Sequence, residues 1–343
     1  MKSHFFFVLS FLLVVANSYY SQGCCSGGAT NPIAGGAATG VLAKNKIEIS
    51  ANHQFLKSSK FYTEDRASTG MFDYLFSNYF FLRTDYGLSD KLTFSLATGY
   101  FLNKSRIETP EVDQLVDTIN SSGFSDIILL PRFGVFNRVN GNKKTELTLG
   151  LGMKVPIGSH KDSSFIGSFP APIGNQYIVN PPIAQMTSGS IDMMLYAFLF
   201  RSYNKQRLRV FTNFLHVRTG FNSLGQKFGN YTSLGFFVGR NLNKRIGITC
   251  QVRAEKIGEM KSAKNIDLII YNIDQSSTGS FKTFFVPQLT YTKNNLTFYT
   301  TTEIPIYQYV NGTQIGSQFQ LTTGINYRFQ TKKTTSQLQK PLN

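Results

Sequence analysis

The stretch Gln318-Phe319-Gln320-Leu321-Thr322-Thr323-Gly324-Ile325-Asn326-Tyr327-Arg328-Phe329 alternates apolar and polar residues over twelve positions and ends on an aromatic ring. Side chains of a strand point to its two faces in turn. Phe319, Leu321, Ile325, Tyr327 and Phe329 therefore share one face, and Gln320, Thr322, Asn326 and Arg328 the other. An apolar face backed by a polar one suits a strand set between lipid and a polar lumen. A final aromatic residue marks the closing strand of an outer-membrane β-barrel.

The same period recurs upstream. From 146 to 157, Leu147, Leu149, Leu151, Met153, Val155 and Ile157 fall on one face. Glu146, Thr148, Gly150, Gly152, Lys154 and Pro156 fall on the other, whereas an amphipathic helix would recur every three to four residues. The run 189–202 puts Ile191, Met193, Leu195 and Leu199 outward. Its inward face, Asp192, Met194, Tyr196, Phe198 and Phe200, is bulky and apolar for a water-filled pore. Two readings stay open for it, a greasy passage or packing against an inserted segment.

Twelve such runs are legible, at 46–56, 75–87, 91–104, 123–138, 144–157, 189–202, 206–219, 230–241, 245–256, 279–292, 296–308 and 317–329. Their connections alternate in length. Short turns such as Asn140-Gly141-Asn142-Lys143 and Lys293-Asn294-Asn295 are built from residues that tolerate tight bends. Long loops lie between them, at 57–74, 105–122, 158–188, 220–229, 257–278 and 309–316. Short periplasmic turns opposite long outer loops, and an even strand number, belong to bacterial barrels. The sequence therefore predicts an all-β, antiparallel transmembrane β-barrel of about 12 strands over 46–329.

The other end of the chain agrees. Lys2, the apolar run Phe5 to Ala16 and the small and polar residues after it read as a cleaved signal peptide over 1–21. That run is shorter than the roughly 20 residues a membrane-crossing helix needs, so a spanning protein here must be a closed barrel. Charged residues make up 16% and aromatics 14%, with 31 Phe, 17 Tyr and no Trp. A soluble domain carries roughly 25% charge, so the balance favours a lipid-facing surface over a secreted soluble β-protein.

A charge facing lipid costs roughly 2–4 kcal/mol at the midplane, so the charges within strands should face the lumen. Arg83, Asp85, Asp126, Arg132, Lys154, Asp192, Arg209, Arg253, Glu303 and Arg328 share the inward parity and are the candidate lumen and selectivity residues. They read either as a constriction selecting by charge or as paired groups that fill and stiffen the barrel. The formal charge of +16 favours anionic solutes or anionic lipid headgroups. The charges are spread over strands, turns and tail, with no basic helix or stacking platform, which argues against nucleic acid. The partners to expect are outer-membrane lipid and lipopolysaccharide, the barrel-assembly machinery, and a small solute.

Segment 22–45 is Gly-rich and lacks a strand pattern, reading as a plug or a periplasmic arm. Three uses stay open for its Cys24 and Cys25: a disulfide or redox role, lipidation of Cys24 without the usual Leu upstream, and a soft metal with no neighbouring His to complete a site. No metal or cofactor motif is found elsewhere. His160 near Asp162, Ser163 and Ser164 is the only arrangement suggestive of a hydrolase, and the chain reads as a non-enzyme. Loop 158–188, rich in apolar residues including Phe165, Phe169 and Tyr177, is the candidate gate. Residues 330–343 form a polar tail.

Gly123-Phe124-Ser125-Asp126 with Leu129-Leu130-Pro131-Arg132-Phe133, and Gly152-Met153-Lys154-Val155-Pro156-Ile157-Gly158, resemble strands of the outer-membrane barrels named for the MetA pathway of phenol degradation. Gly189-Ser190-Ile191-Asp192 and Glu303-Ile304-Pro305-Ile306-Tyr307 fit the same pattern, so the resemblance covers about 75–329. It implies a transporter or pore for small hydrophobic or aromatic compounds. The alternative is a structural or adhesive barrel with a filled lumen and no transport.

Overall fold

The structure, a computed structural model, describes residues 40–108, 118–170, 174–271 and 273–331. The signal segment 1–21, Cys24, Cys25 and the tail from 332 lie outside these residues.

Twelve strands follow one another round the wall: β1 (Lys46–Ser58), β2 (Tyr74–Ser89), β3 (Leu92–Ile107), β4 (Asp126–Asn140), β5 (Lys143–Pro156) and β6 (Asp192–Tyr203), then β7 (Leu208–Arg218), β8 (Tyr231–Asn241), β9 (Ile246–Ile257), β10 (Ser280–Lys293), β11 (Leu296–Ile315) and β12 (Phe319–Gln330). Each pairs antiparallel with the next. The sheet closes where β12 meets β1, from Lys46↔Gln330 to Lys57↔Phe319. Closure removes the unpaired edge that hydrocarbon would not solvate.

Eleven strands end within three residues of the places the alternation predicts; β11 does not. The alternation ends it at 308, whereas it runs to Ile315, because beyond the barrel rim it pairs with the outer hairpin strand Phe61–Glu64. Asn311-Gly312-Thr313-Gln314 reads as a loop in isolation, and tertiary pairing overrides that preference.

Period two sorts the side chains by solvent. Leu151 is 68% exposed, and Phe80, Leu82, Leu195, Phe236 and Leu289 also stand on the outer surface. An apolar surface of this extent is at home in hydrocarbon rather than water. Thr93, Thr148, Ser95 and Asn52 are buried on the inner face. At the turn end, Gly141 (φ 55°) and Asn294 (φ 55°) take the left-handed conformation their residue types tolerate. At the loop end, short strands and 3-10 turns extend the wall and fold over the opening.

Candidate functional site

The lumen is built in three tiers. The first is a roof made by the long loop between β5 and β6. Its residues 180–190 turn inward: Ile183 packs with Leu56, Phe61, Leu75 and Ile315, while Met186 joins the large apolar cluster that includes Tyr79, Phe101 and Tyr196. Gln185 fastens the segment, donating from Nε2 to the carbonyls of Asp162 and Asn180, both at 2.9 Å, and accepting from the Asp162 amide at 3.0 Å. Lys104 Nζ donates to the Gln185 carbonyl at 2.7 Å. Phe228, Met260, Leu268 and Ile273, from the other outer loops, complete this apolar core.

The gate residues read from sequence lie elsewhere in that loop. Phe165 and Tyr177 sit on a hairpin, Ser163–Phe169 with Gly174–Val179, their rings 5.5 Å apart and both exposed. Phe169 ends its strand opposite Gly174. Apolar content marks the whole loop, whereas among its described residues it is Ile183 and Met186, within 180–190, that pack into the apolar clusters over the lumen. The sequence-level signal for that division is Asn180-Pro181-Pro182, where the hairpin must break off.

The second tier is a belt of ion pairs. Lys154 Nζ lies 3.2 Å from Asp126 and 2.8 Å from Asp192, whose Oδ1 accepts from Ser190 Oγ and the Gly220 amide. On the opposite wall Arg253 donates to both oxygens of Glu303, at 2.9 and 2.7 Å, and lies 3.7 Å from Glu255. Nearer the turns, Arg83 donates from Nε to Asp85 Oδ2 at 3.1 Å, and Arg132 Nη2 lies 2.9 Å from Asp85 Oδ1. Glu48 binds Arg328 and lies 3.7 Å from Arg83. Nine of the ten lumen candidates thus have an opposite charge at hand, and Arg209 alone among them has no carboxylate within 4 Å among the described residues. Glu48 joins this belt without being among the ten, and its parity with Ser50, Asn52 and Gln54 on β1 is the available signal.

The third tier opens toward the turns. The inward face of β6 packs across to β7 and β8: Phe198 and Phe200 are 6.2 Å apart, Phe198 and Phe211 5.9 Å, and Phe211 stacks on Phe237 at 4.2 Å. Below this cluster a cavity of about 320 Å³ is lined by Phe198, Phe200, Arg132, Lys144, Glu146 and Arg209 among others. It shares Lys46, Glu48, Arg209 and Arg328 with a cavity of about 540 Å³ at the mouth. Residues 40–44 run along the inside of this mouth, with the amides of Val41, Leu42 and Lys44 donating to Glu146, Thr93 and Asp90.

The three described histidines fall outside the lumen. His160 Nε2 is 2.9 Å from Ser223 Oγ, a contact between two outer loops rather than with Ser163 or Ser164. His53 packs its ring on Phe80 on the outer face, and His216 Nδ1 is 2.8 Å from Thr232 Oγ1. Cys250 is exposed, on the outward-facing side of β9 with Ile248.

No protein-family model matches the chain, and no curated protein matches it. Among solved structures it is similar to the COG4313 outer membrane channel from Pseudomonas putida F1, at 13% identity and a TM-score of 0.61, over 84% of this chain and 97% of that one. Looser likenesses are to the beta domain of the Bordetella autotransporter BrkA (10% identity, TM-score 0.46, 82% and 99% coverage) and to the KdgM porin (9%, 0.40, 82% and 99%). By closure, strand number and likeness to the first of these, the chain has the fold of an outer-membrane β-barrel.

Proposed function

We propose that the protein is an outer-membrane channel that passes small hydrophobic or aromatic compounds down their gradient, without catalysis. The observation that supports this reading is the inner face of β6. Met194, Tyr196 and Phe198 pack in one apolar cluster beneath the roof, and Phe198 and Phe200 continue that apolar face to the lining of the cavity at the turn end. A path for water-soluble solutes would be lined by polar groups, and apolar solutes need an apolar lining. The resemblance to the phenol-degradation barrels points to the same solute class. In this reading the outer face meets lipid and lipopolysaccharide, and insertion depends on the barrel-assembly machinery.

A filled, structural barrel is the second reading, favoured by the dense packing of the roof, where Tyr196 and Met260 are fully buried. Solute flux into liposomes separates the two. A channel passes small aromatic solutes faster than sugars of similar size, and faster still when the roof is loosened by Met186→Ala. A structural barrel passes nothing in either form.

A further inference from the structure

We propose that the turn-end cavity is a binding site for small aromatic carboxylates, with Arg209 taking the carboxylate and Phe200 the ring. The proposal names a solute class for the lumen and rests on reading that lumen as a path.

Charge is the first observation. The mouth cavity is lined by five cations, Lys46, Arg209, Lys244, Arg245 and Arg328, against one carboxylate, Glu48. Glu48 is already engaged by Arg328 and Arg83. Among the described residues no carboxylate lies within 4 Å of Lys46, Arg209, Lys244 or Arg245, and the ion pair within this mouth is that of Glu48 with Arg328. The two acid-rich groups, Asp126–Lys154–Asp192 and Glu255–Arg253–Glu303, are not part of this mouth. An anion entering there meets an uncompensated positive field.

Arg209 converts the field into a site. Its Nη2 donates to Asn241 Oδ1 at 2.9 Å, while its Nε is buried with no hydrogen-bond partner. A guanidinium presents five donors in a planar fork that matches a carboxylate, and a buried donor left bare is costly, so a bidentate anion answers an unmet need. The register leaves room for it: Arg209 pairs with Ser202 on β6 and with Gly239 on β8.

The ring shelf follows from the same register. Phe211 is opposite Phe200, so Arg209 and Phe200 are diagonal neighbours on one face of the sheet, about 7 to 8 Å apart by ordinary strand geometry. A single ring bearing a carboxylate spans that distance. Phe200 and Phe198 line the smaller cavity together with Arg209, and its volume of about 320 Å³ accommodates one such molecule. Three carboxylates also line it, Glu48, Asp85 and Glu146, and each is paired with a cation of its own, Arg328, Arg132 and Lys144. An inorganic anion would use the fork and leave the aromatic shelf idle. A neutral aromatic would do the opposite.

The test is calorimetric titration of the folded, detergent-solubilised barrel with benzoate, acetate and benzyl alcohol, beside the variants Arg209→Gln, Arg209→Lys and Phe200→Leu. Benzoate should bind about tenfold or more tighter than either other probe, because only it uses both halves of the site. Arg209→Gln should remove that advantage without weakening benzyl alcohol, and Phe200→Leu should weaken benzoate and spare acetate. Should Arg209→Gln fail to fold, Arg209→Lys keeps the charge without the fork and should still lose benzoate. Equal binding of benzoate and acetate, or benzoate binding indifferent to both Arg209 variants, would overturn the proposal in favour of a diffuse cationic field. Arg209-dependent benzoate binding in a barrel that passes no solute would retain the site and sink the conduit. Flux of aromatic solutes with benzoate binding independent of Arg209 would do the reverse.

Discussion

Arg132 on β4 reaches past the whole of β3 to place its Nη2 2.9 Å from Oδ1 of Asp85 on β2. Asp85 is 1% exposed, and its other oxygen accepts from Arg83, so this carboxylate is shared by two buried guanidinium groups, with Glu48 3.7 Å from Arg83 as well. Removing one member of a buried ion cluster strands the others. Asp85→Ala should therefore destabilise the barrel by about 3 kcal/mol, read as a lower midpoint for loss of the heat-modifiable form. An unchanged midpoint would mean that the two arginines are solvated by lumen water.

Tyr79 lies across Gly99 on the inner wall. A Cβ at that glycine would fall 2.0 Å from the Tyr79 hydroxyl, whose oxygen is 2.9 Å from Ser125 Oγ. Gly99→Ala should cost about 1–3 kcal/mol by overpacking. Tyr79→Ala in the same chain should recover much of the loss at position 99, because it removes the atom that clashes. A double variant no better than the sum of its parts would contradict the close approach.

The outer face can be tested at Leu151, which is 68% exposed. Arginine there should cost about 2–4 kcal/mol in a bilayer, and less near an interface. Its neighbour Thr148 faces inward and is fully buried. Equal stability of Leu151→Arg and wild type in lipid would place this residue away from the hydrocarbon.

Outer-loop closure should depend on pH through His160. Burial, then Lys161, hold its imidazole below the ordinary histidine range, against the opposing pull of Asp162. A lowered folded value means that the open loop binds the proton more readily. The stabilisation is fully present above the unfolded value of about 6.5 and is lost as pH falls from there through the lower folded value. Hydrogen exchange of residues 158–191 and 219–230 should quicken as the pH is lowered through this window, and His160→Gln should flatten that response. Exchange that shows no such quickening in the wild-type chain would rule out the coupling.

Much of this molecule is legible in the amino-acid sequence, and the reason is geometric. A strand between lipid and lumen must alternate, so the facing of β5, β6 and β12 and the inward parity of Arg83, Asp85 and Arg132 can be read directly. Which charge meets which cannot. Arg132 and Asp85 are separated by a full strand, and only barrel curvature joins them. The roof is equally hidden: apolar loop residues such as Tyr177 and Met186 look alike in sequence, yet one is exposed and the other fully packed. The added length of β11 depends on a partner, Phe61–Glu64, that local pattern does not announce.

The proposed function has apolar and aromatic solutes cross beneath the roof to which Ile183 and Met186 belong. Its most direct test is flux into liposomes of matched small aromatic solutes and sugars, through the wild-type barrel and through Met186→Ala. Selective aromatic flux that rises in the variant is the predicted result. A folded, correctly inserted barrel that passes no solute in either form would contradict it.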